Sequence, residues 1–548
     1  MKKKVFVVSL FLAAFLIVGA AGNYLYKINK SFDLFAEVVK NIANNYVLEV
    51  DPEILVDAGI KGMLETLDPY TTYYDASENE DIDMMTFGTY VGIGIRVNKV
   101  DSMMTIVDVH EGYPADEAGI KIGDVIYMID SAEVIDLNAS ELRPHTQGKS
   151  GESMQMKVLR GRSLDTLDFT ITRKVITLEN ITFKKVLDGQ IGYIKLDRFT
   201  KSTGYDLRKE VYDMNRKNKL NGFILDLRDN PGGLLDAAIS VCEIFVPEGS
   251  KIVSTKSRNE SRNRVFKAVG EPTLPDVPLV VLINENSASA SEIVAGAIQD
   301  LDRGVIIGER SFGKGLVQSI MELPYNSSLK ITTAKYYTPS GRSIQRLKFA
   351  QEYEKSKVVD ETDTNYFYTK NKREVRELSG IMPDISISDS LEYDIITDLK
   401  YKNMFFIFAN YFSAEHDSIV SNFKVESDMF SEFIDFLKEK DYVFNERSIK
   451  YLDKITEIAE DNEYPKNVMN RIDGLKSSIK EESIDLIKIK QNNIADELEN
   501  EIFRRYHTEN EIFFKYLKDD NYLERSLQIL ESDRYNEILA ITEENNNN

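Results

Sequence analysis

The chain has 548 residues, too many for one hydrophobic core, and roughly two to four domains are expected. Apolar residues make up 42% and charged residues 29%, an ordinary globular balance, and the net charge of −22 excludes a general nucleic-acid binder, which needs excess Lys and Arg. One cysteine, Cys242, rules out an internal disulfide and a thiolate metal cluster, and its place in the apolar run "AAISVCEIF" reads as a small core residue.

The chain opens with "MKKK" and a mostly apolar run over 5–22, the pattern of an export signal or an uncleaved membrane anchor. Lys2 to Lys4 are expected to stay cytoplasmic and everything after about Gly22 to lie outside the inner membrane. No Cys follows, so a lipoprotein is not expected. Residues 23–85 read as a helical segment. "FDLFAEVVKNIANNYV" and "PEILVDAGIKGMLETL" carry apolar residues at helical spacing, and Asp51-Pro52 opens the second helix.

Residues 86–176 change to short β-type runs such as "YVGIGIRVN", "MMTIVDVH" and "MQMKVLRG", with one helical patch, "PADEAGIKIGD". Residues 177–390 alternate: strands at "IGYIKL", "NGFILDLR", "LVVLI" and "GVIIGE", helices at "LLDAAISVCEIF" and "ASEIVAGAIQD". Such alternation predicts an α/β core, with polar stretches near 256–276 and 347–375 as surface loops. From 391 to 548 the chain is charged and helical in period, ending in a polar tail expected to be disordered.

The stretch "NENSASASEIVAGAIQD" places Ser287, Ser289 and Ser291 at alternate positions before a helix. A nucleophile there gains from unpaired helix N–H groups, but serine is also an ordinary helix cap, so all three stay open. The four histidines, His110, His145, His416 and His507, all lie outside the α/β core, so a Ser-His-Asp triad within it is excluded, although another domain can in principle lend a His. Lys314 in "GERSFGKGLVQ" is a candidate base. To act, its pKa must fall from about 10.4 toward about 7–8, at about 4–5 kcal/mol of desolvation or like-charge effect. Gln318 can orient the amine without adding negative charge. The turn in "DLRDNPGGLLDAA" exposes backbone N–H groups suited to an oxyanion site.

Taken together, "DLRDNPGG", "NENSASASEIVAGAIQD", "GERSFGKGLVQ" and "YYTPSGRSIQ", in that order, resemble the carboxyl-terminal processing proteases, serine peptidases with a Ser-Lys dyad. "YVGIGIRV" and "PADEAGIKIGDVIYMID" resemble the PDZ domain these carry ahead of the core. The resemblance covers roughly residues 30–390 and assigns no role beyond. It implies a multidomain α+β chain in which a PDZ β-domain precedes an α/β core of Clp-protease/crotonase-like type, between N-terminal helices and a C-terminal helical domain.

Carried over, Ser289 is the nucleophile, Lys314 the general base and Gln318 its support. Backbone N–H groups of Ala290 and Gly232 form the oxyanion hole, and Asp300 is structural. The turn Gly92-Ile93-Gly94-Ile95 is expected to receive a substrate's C-terminal carboxylate, the peptide adding as a strand. No metal or cofactor is implied. Expected partners are polypeptide substrates, with an adaptor or lipoprotein partner, inner-membrane association and homo-oligomerisation left open, and no nucleic acid. The PDZ domain, tethered at both ends, is expected to gate the site, with Arg160 and Arg173 as candidates to pair with a carboxylate on the core. Two alternatives stand beside this reading: a non-catalytic PDZ scaffold that binds exported C-termini, and an acyl-CoA-processing enzyme.

Overall fold

The computed structural model describes residues 25–540 except 77, 349–356, 359–364, 378–379, 388–394, 421–422 and 445–446. The expected export segment over 1–22 and the polar tail lie outside the described residues. No helix among the described residues is long and apolar enough to cross a membrane. The chain divides into two compact units, one of residues 1–79, 316–334 and 347–358, the other of residues 80–315, 335–346 and 359–548.

In the first unit a helix runs over 25–45. A second, Pro52–Leu64, starts where the sequence predicts: Asp51 is the N-cap, its carboxylate accepting from Glu53 N–H, and Pro52 stands at the first helical position. Asp68 then accepts from the N–H groups of Tyr70 and Thr71 and turns the chain into the strand Thr72–Tyr74. That strand pairs antiparallel with residues 328–330 of Ser327–Tyr337, on which Leu316–Leu323 also pairs.

The second unit begins with the small β-domain. Its sheet runs, in spatial order, Ile95–Val100, Met103–Val109, Val125–Ile129, Ser153–Arg160 and Asp165–Thr172, with Ala132–Glu133 beside Val125–Ile129. Alternate residues point inward, as the period of a strand requires, and Met104, Ile106, Ile126, Met156 and Val158 fill the core. Thr89–Gly92 pairs with Lys174–Thr177 and joins the entry of the domain to its exit. A second helix, Ala139–Thr146, was not expected. Its sequence "ASELRPHT" holds Pro144 and buries only Leu142 among its apolar residues, so no periodic stripe betrays it.

The α/β part is a six-stranded sheet in the order Ile181–Leu187, Ile191–Leu196, Gly222–Asp226, Leu279–Ile283, Val305–Gly308 and Ile385–Ser386. The first pair is antiparallel and the rest parallel. Gly222–Asp226, Leu279–Ile283 and Val305–Gly308 are buried throughout, which is why they read as unbroken apolar runs. Leu235–Cys242 and Ala290–Asp300 form where the sequence expects them, and Cys242 is fully buried, its thiol pushed up by that burial. The helix Thr203–Asn218 was missed, because its many charges hide the short buried stripe of Leu207 and Val211. The polar stretch near 256–276 holds a strand and not only a loop: Arg264–Lys267 pairs with Lys251–Lys256.

The helices beyond 391 do two things. Ile395–Tyr401, Met404–Glu415, Ser427–Glu439 and Gln491–Phe503 share a core of their own that also takes in Val100 of the β-domain. The last helices instead supply apolar side chains to the peptidase sheet: Leu517, Tyr522, Leu523, Ile529 and Tyr535 pack with Phe183, Tyr193, Ile224, Val280 and Leu282. Tyr535 Oη even accepts the N–H of Leu279, the first residue of a central strand. The C-terminal segment thus covers apolar sheet surface that would otherwise face water.

Candidate active site

Three parallel strands end side by side at Asp226, Ile283 and Gly308, and the loops that follow them carry the predicted chemistry. Ligand sites of open α/β sheets form at these carboxyl ends. The three serines have different roles. Ser287 is fully buried; its hydroxyl donates to Leu227 O at 2.8 Å and accepts from Asn284 N–H at 2.9 Å. Ser291 is fully buried and donates to Asn230 O at 2.9 Å. Both therefore hold backbone carbonyls of the neighbouring loop. Ser289 alone is part-exposed, and it sits at φ 54°, ψ −109°, between the strand and the helix Ala290–Asp300. A non-glycine residue at positive φ costs about 1–3 kcal/mol and persists only where its surroundings impose it.

Glu292 is the group that imposes it. It is fully buried, and both carboxylate oxygens are used twice. Oε2 accepts from Ser289 N–H and Lys314 N–H, each at 2.8 Å. Oε1 accepts from Gly313 N–H at 2.7 Å and Ser311 Oγ at 2.6 Å. Burial pushes its carboxyl above the ordinary range, against the hydrogen bonds, which favour the charged form. One carboxylate thus ties the serine turn to the lysine loop. Phe312 N–H adds a further tie, donating to Ser287 O at 3.0 Å. Sequence reasoning passed over Glu292, although the spacing S-x-x-E at Ser289 is a capping-box signature that could have found it.

Lys314 is part-buried between Gly313, at φ 90°, and Gly315, whose N–H donates to the Gln345 side chain at 2.7 Å. Gln318 belongs to the other unit, where its Nε2 donates to Thr332 Oγ1 at 3.2 Å, and Thr332 Oγ1 in turn donates to Asp68. Ser289 and Lys314 are therefore brought together through their backbones in one unit, while Gln318 is held by the other.

Gly232 lies against the serine turn. A Cβ on it would stand 2.6 Å from Ala288 O and 2.8 Å from Ala290 N, and its φ is 97°, so only glycine fits. Its N–H, however, donates to Asn230 Oδ1 at 2.8 Å, so in this conformation it is turned to Asn230. Ala290 is the first helical residue, and its N–H is one that the helix itself cannot pair. Asp300 is buried and holds Arg342 at 2.8 Å and Ser340 N–H at 2.9 Å. Three of the histidines are engaged elsewhere: His110 with Glu509, His416 with Phe412 O and His507 with Phe503 O.

In the β-domain, the turn Gly92–Ile95 enters the strand Ile95–Val100, which is the edge strand of its sheet. Gly92 closes the preceding strand, opposite Lys174. Gly94 has φ 80°, and a Cβ there would meet Tyr113 Cβ at 2.6 Å. Ile93 buries its side chain in the domain core, so only its backbone faces the turn. The two arginines expected to reach the core do not. Arg160 forks onto Asp124 at 2.6 and 2.7 Å, and Arg173 donates to the carbonyls of Thr146 and His145. Both hold groups of their own domain, the buried Asp124 in the case of Arg160, a demand invisible in the sequence.

Residues 190–355 match the Peptidase family S41 and residues 91–171 the PDZ domain. Residues 16–78 match the family described as the activating protease CtpB N-terminal domain, and residues 395–530 the probable PDZ-protease C-terminal helical domain. A carboxy-terminal-processing protease of Bartonella bacilliformis is 37% identical over 68% of this chain and 86% of its own length. The chain belongs to the carboxy-terminal processing protease family. A second relative, carboxy-terminal processing protease CtpA of Bacillus subtilis, is 34% identical over 58% of this chain and 67% of its own. Among solved structures, the photosystem II D1 C-terminal processing protease is 25% identical, covering 66% of this chain and 94% of that one, at a TM-score of 0.36. The protease is a serine-type carboxyl-terminal processing peptidase in which a PDZ domain precedes the peptidase core and a helical domain follows it. The acyl-CoA-processing alternative falls with that membership.

Proposed function

We propose that this protease cleaves polypeptides with a Ser289–Lys314 dyad after its PDZ domain has taken hold of their C-termini. Ser289 Oγ attacks the scissile carbonyl while the neutral Lys314 amine takes its proton. The proton passes to the leaving amine, and water then releases the acyl group from Ser289. The observation that carries this reading is the strained Ser289, held by the same buried Glu292 that holds the Lys314 backbone. Ala290 N–H is one oxyanion donor, and Gly232 N–H becomes the second once it leaves Asn230. In this reading Gln318 has the part of supporting the lysine.

The free edge of Ile95–Val100 favours strand addition of a substrate tail, its carboxylate on the N–H groups of Gly92 to Ile95. The "MKKK" and apolar opening supports export, with the working domains outside the inner membrane whether the signal is cleaved or kept as an anchor. Adaptor binding and self-association belong to the same proposal as partners still to be sought. The test is digestion of an exported polypeptide with an apolar C-terminus. Ser289→Ala and Lys314→Ala stop cleavage and stay folded; an inactive Ser287→Ala beside an active Ser289→Ala would place the nucleophile elsewhere. A non-catalytic scaffold predicts no cleavage by the wild type at all.

A further inference from the structure

The strand Gly222–Asp226 ends in an acidic residue with no exposure, and the next charged residue, Arg228, is part-buried, its side chain 16% exposed. The Arg228 guanidinium lies between two carboxylates from distant parts of the chain. On one side Nε and Nη2 donate to Asp226, the shortest contact 2.6 Å. On the other side Nη2 donates to Asp520 Oδ2, also at 2.6 Å. The guanidinium lies 4.7 Å from the centre of the Tyr522 ring, and Tyr193 Oη donates to Asp226 at 2.5 Å.

Asp520 comes from the C-terminal helices, and its two oxygens do different things. Oδ1 accepts from the N–H groups of Tyr522 and Leu523 and so caps the helix Asn521–Leu530, while Oδ2 takes Arg228. The cap fixes where Oδ2 points. From Leu227 onward the chain is the loop that meets the serine turn: Leu227 O receives Ser287, Asn230 O receives Ser291 and Ala288 N–H, and Gly232 lies against Ala290.

We infer that Asp520, from the C-terminal helical region, is a positioning residue for proteolysis: it holds Arg228 from outside the peptidase core and thereby sets the distance of the 227–233 loop from Ser289. This rests on Ser289 being the nucleophile. Asp226 grips the guanidinium through Nε and Nη2, and Asp520, which shares Nη2, ties that grip to the capped C-terminal helix. A shift of about 1 Å in a reacting geometry costs up to about a hundredfold in rate, so the anchor acts on turnover and not on capture of the peptide.

Asp520→Asn separates the two duties. Asparagine caps a helix as well as aspartate does, but turns an uncharged group toward Arg228. In the full-length protein the readouts are kcat and KM on a peptide, the melting temperature, and the labelling of Ser289 by a small fluorophosphonate that needs no PDZ domain. The expected result is a labelling rate constant and a kcat lowered about tenfold to a hundredfold. KM stays unchanged, labelling still goes to completion, and melting stays near wild type. Asp520→Glu, which restores the charge, recovers part of the rate. A wild-type labelling rate in Asp520→Asn overturns the inference, and so does a reduced labelling amplitude at unchanged rate, which marks a merely structural residue. Ser289→Ala runs alongside: if it is still labelled, the nucleophile assignment fails, independently of what Asp520→Asn does.

Discussion

Two turns of this molecule depend on residues at positive φ, and they are held by different means. At the PDZ turn the unusual conformation belongs to Gly94, which adopts it without penalty, and the polar pairs around it, such as Arg96 with Asp108 and His110 with Glu509, are of ordinary, partly exposed kind. At the serine turn the unusual conformation belongs to Ser289, and a fully buried carboxylate with four donors enforces it. The first turn is set by its own glycine, the second by its neighbours. Changes at the first should stay local, whereas changes near the second should reach the chemistry even where they touch no substrate.

The sharpest way to break this comparison is within the serine cluster. Ser289→Ala should lower kcat by about 10⁴- to 10⁶-fold, since it removes the attacking atom. Ser287→Ala and Ser291→Ala should remain proteolytic but melt earlier, each losing about 0.5–1.5 kcal/mol as Leu227 O or Asn230 O gives up one of its two donors. Equal losses of activity in all three would show that the turn does not distinguish a reacting serine from two structural ones.

Glu292→Gln comes next. An amide nitrogen in place of either oxygen faces two donors, so two hydrogen bonds are lost, and a fall in kcat with little change in KM is expected. A pH signature accompanies it. The folded carboxyl lies above its ordinary value of 4.5, because burial disfavours the charge. A raised acid binds its proton more tightly when folded. Its contribution to stability is therefore full below that value and is lost as pH rises through the folded one. The melting difference, wild type minus Glu292→Gln, should shrink as pH rises above 4.5. A difference that grows with pH would mean the carboxylate is stabilised by its four donors more than burial penalises it.

Much of this was legible in the sequence, for identifiable reasons. The strands Gly222–Asp226, Leu279–Ile283 and Val305–Gly308 are buried on both faces, so their apolar runs stand out. The helix start at Asp51-Pro52 is local chemistry and was read correctly. What escaped depends on distant partners. Glu292 looks like any helix carboxylate until Ser311, Gly313 and Lys314 are folded onto it. Arg228 and Asp520 are separated by 292 positions, and no local pattern links them. Arg160 and Arg173 read as candidates to pair with a core carboxylate because Asp124 and the Thr146 carbonyl, their actual partners, are brought up only by the fold.

On the PDZ side, Arg160→Ala should be costly to the domain and not directly to the chemistry. It would strand the buried Asp124, which among the described residues keeps only a backbone donor at Lys121, at about 3–5 kcal/mol. Melting of the domain should fall sharply, while fluorophosphonate labelling of Ser289 in the still-folded fraction keeps its rate. A slowed label at unchanged melting would restore Arg160 as a link to the peptidase core.

The mildest change addresses the glycine itself. Gly94→Ala places a Cβ 2.6 Å from Tyr113 Cβ at φ 80°, and the Tyr113 hydroxyl is tied to Thr177, so the ring cannot swing away without breaking that contact. Strain of about 1–3 kcal/mol is expected in the carboxylate turn. A loss of about 1.4 kcal/mol there weakens peptide binding about tenfold. Turnover of a small ester at Ser289 in the absence of peptide should be unchanged, because the ester does not use the groove. If the domain gates the site, a groove-binding peptide that cannot be cut raises ester turnover in the wild type, and Gly94→Ala needs about tenfold more of it for the same rise. If the domain only grips, the peptide leaves ester turnover flat in both proteins although binding is measured directly. Then the two turns act in sequence on a substrate without acting on each other, and the coupling between groove and serine is tether length alone.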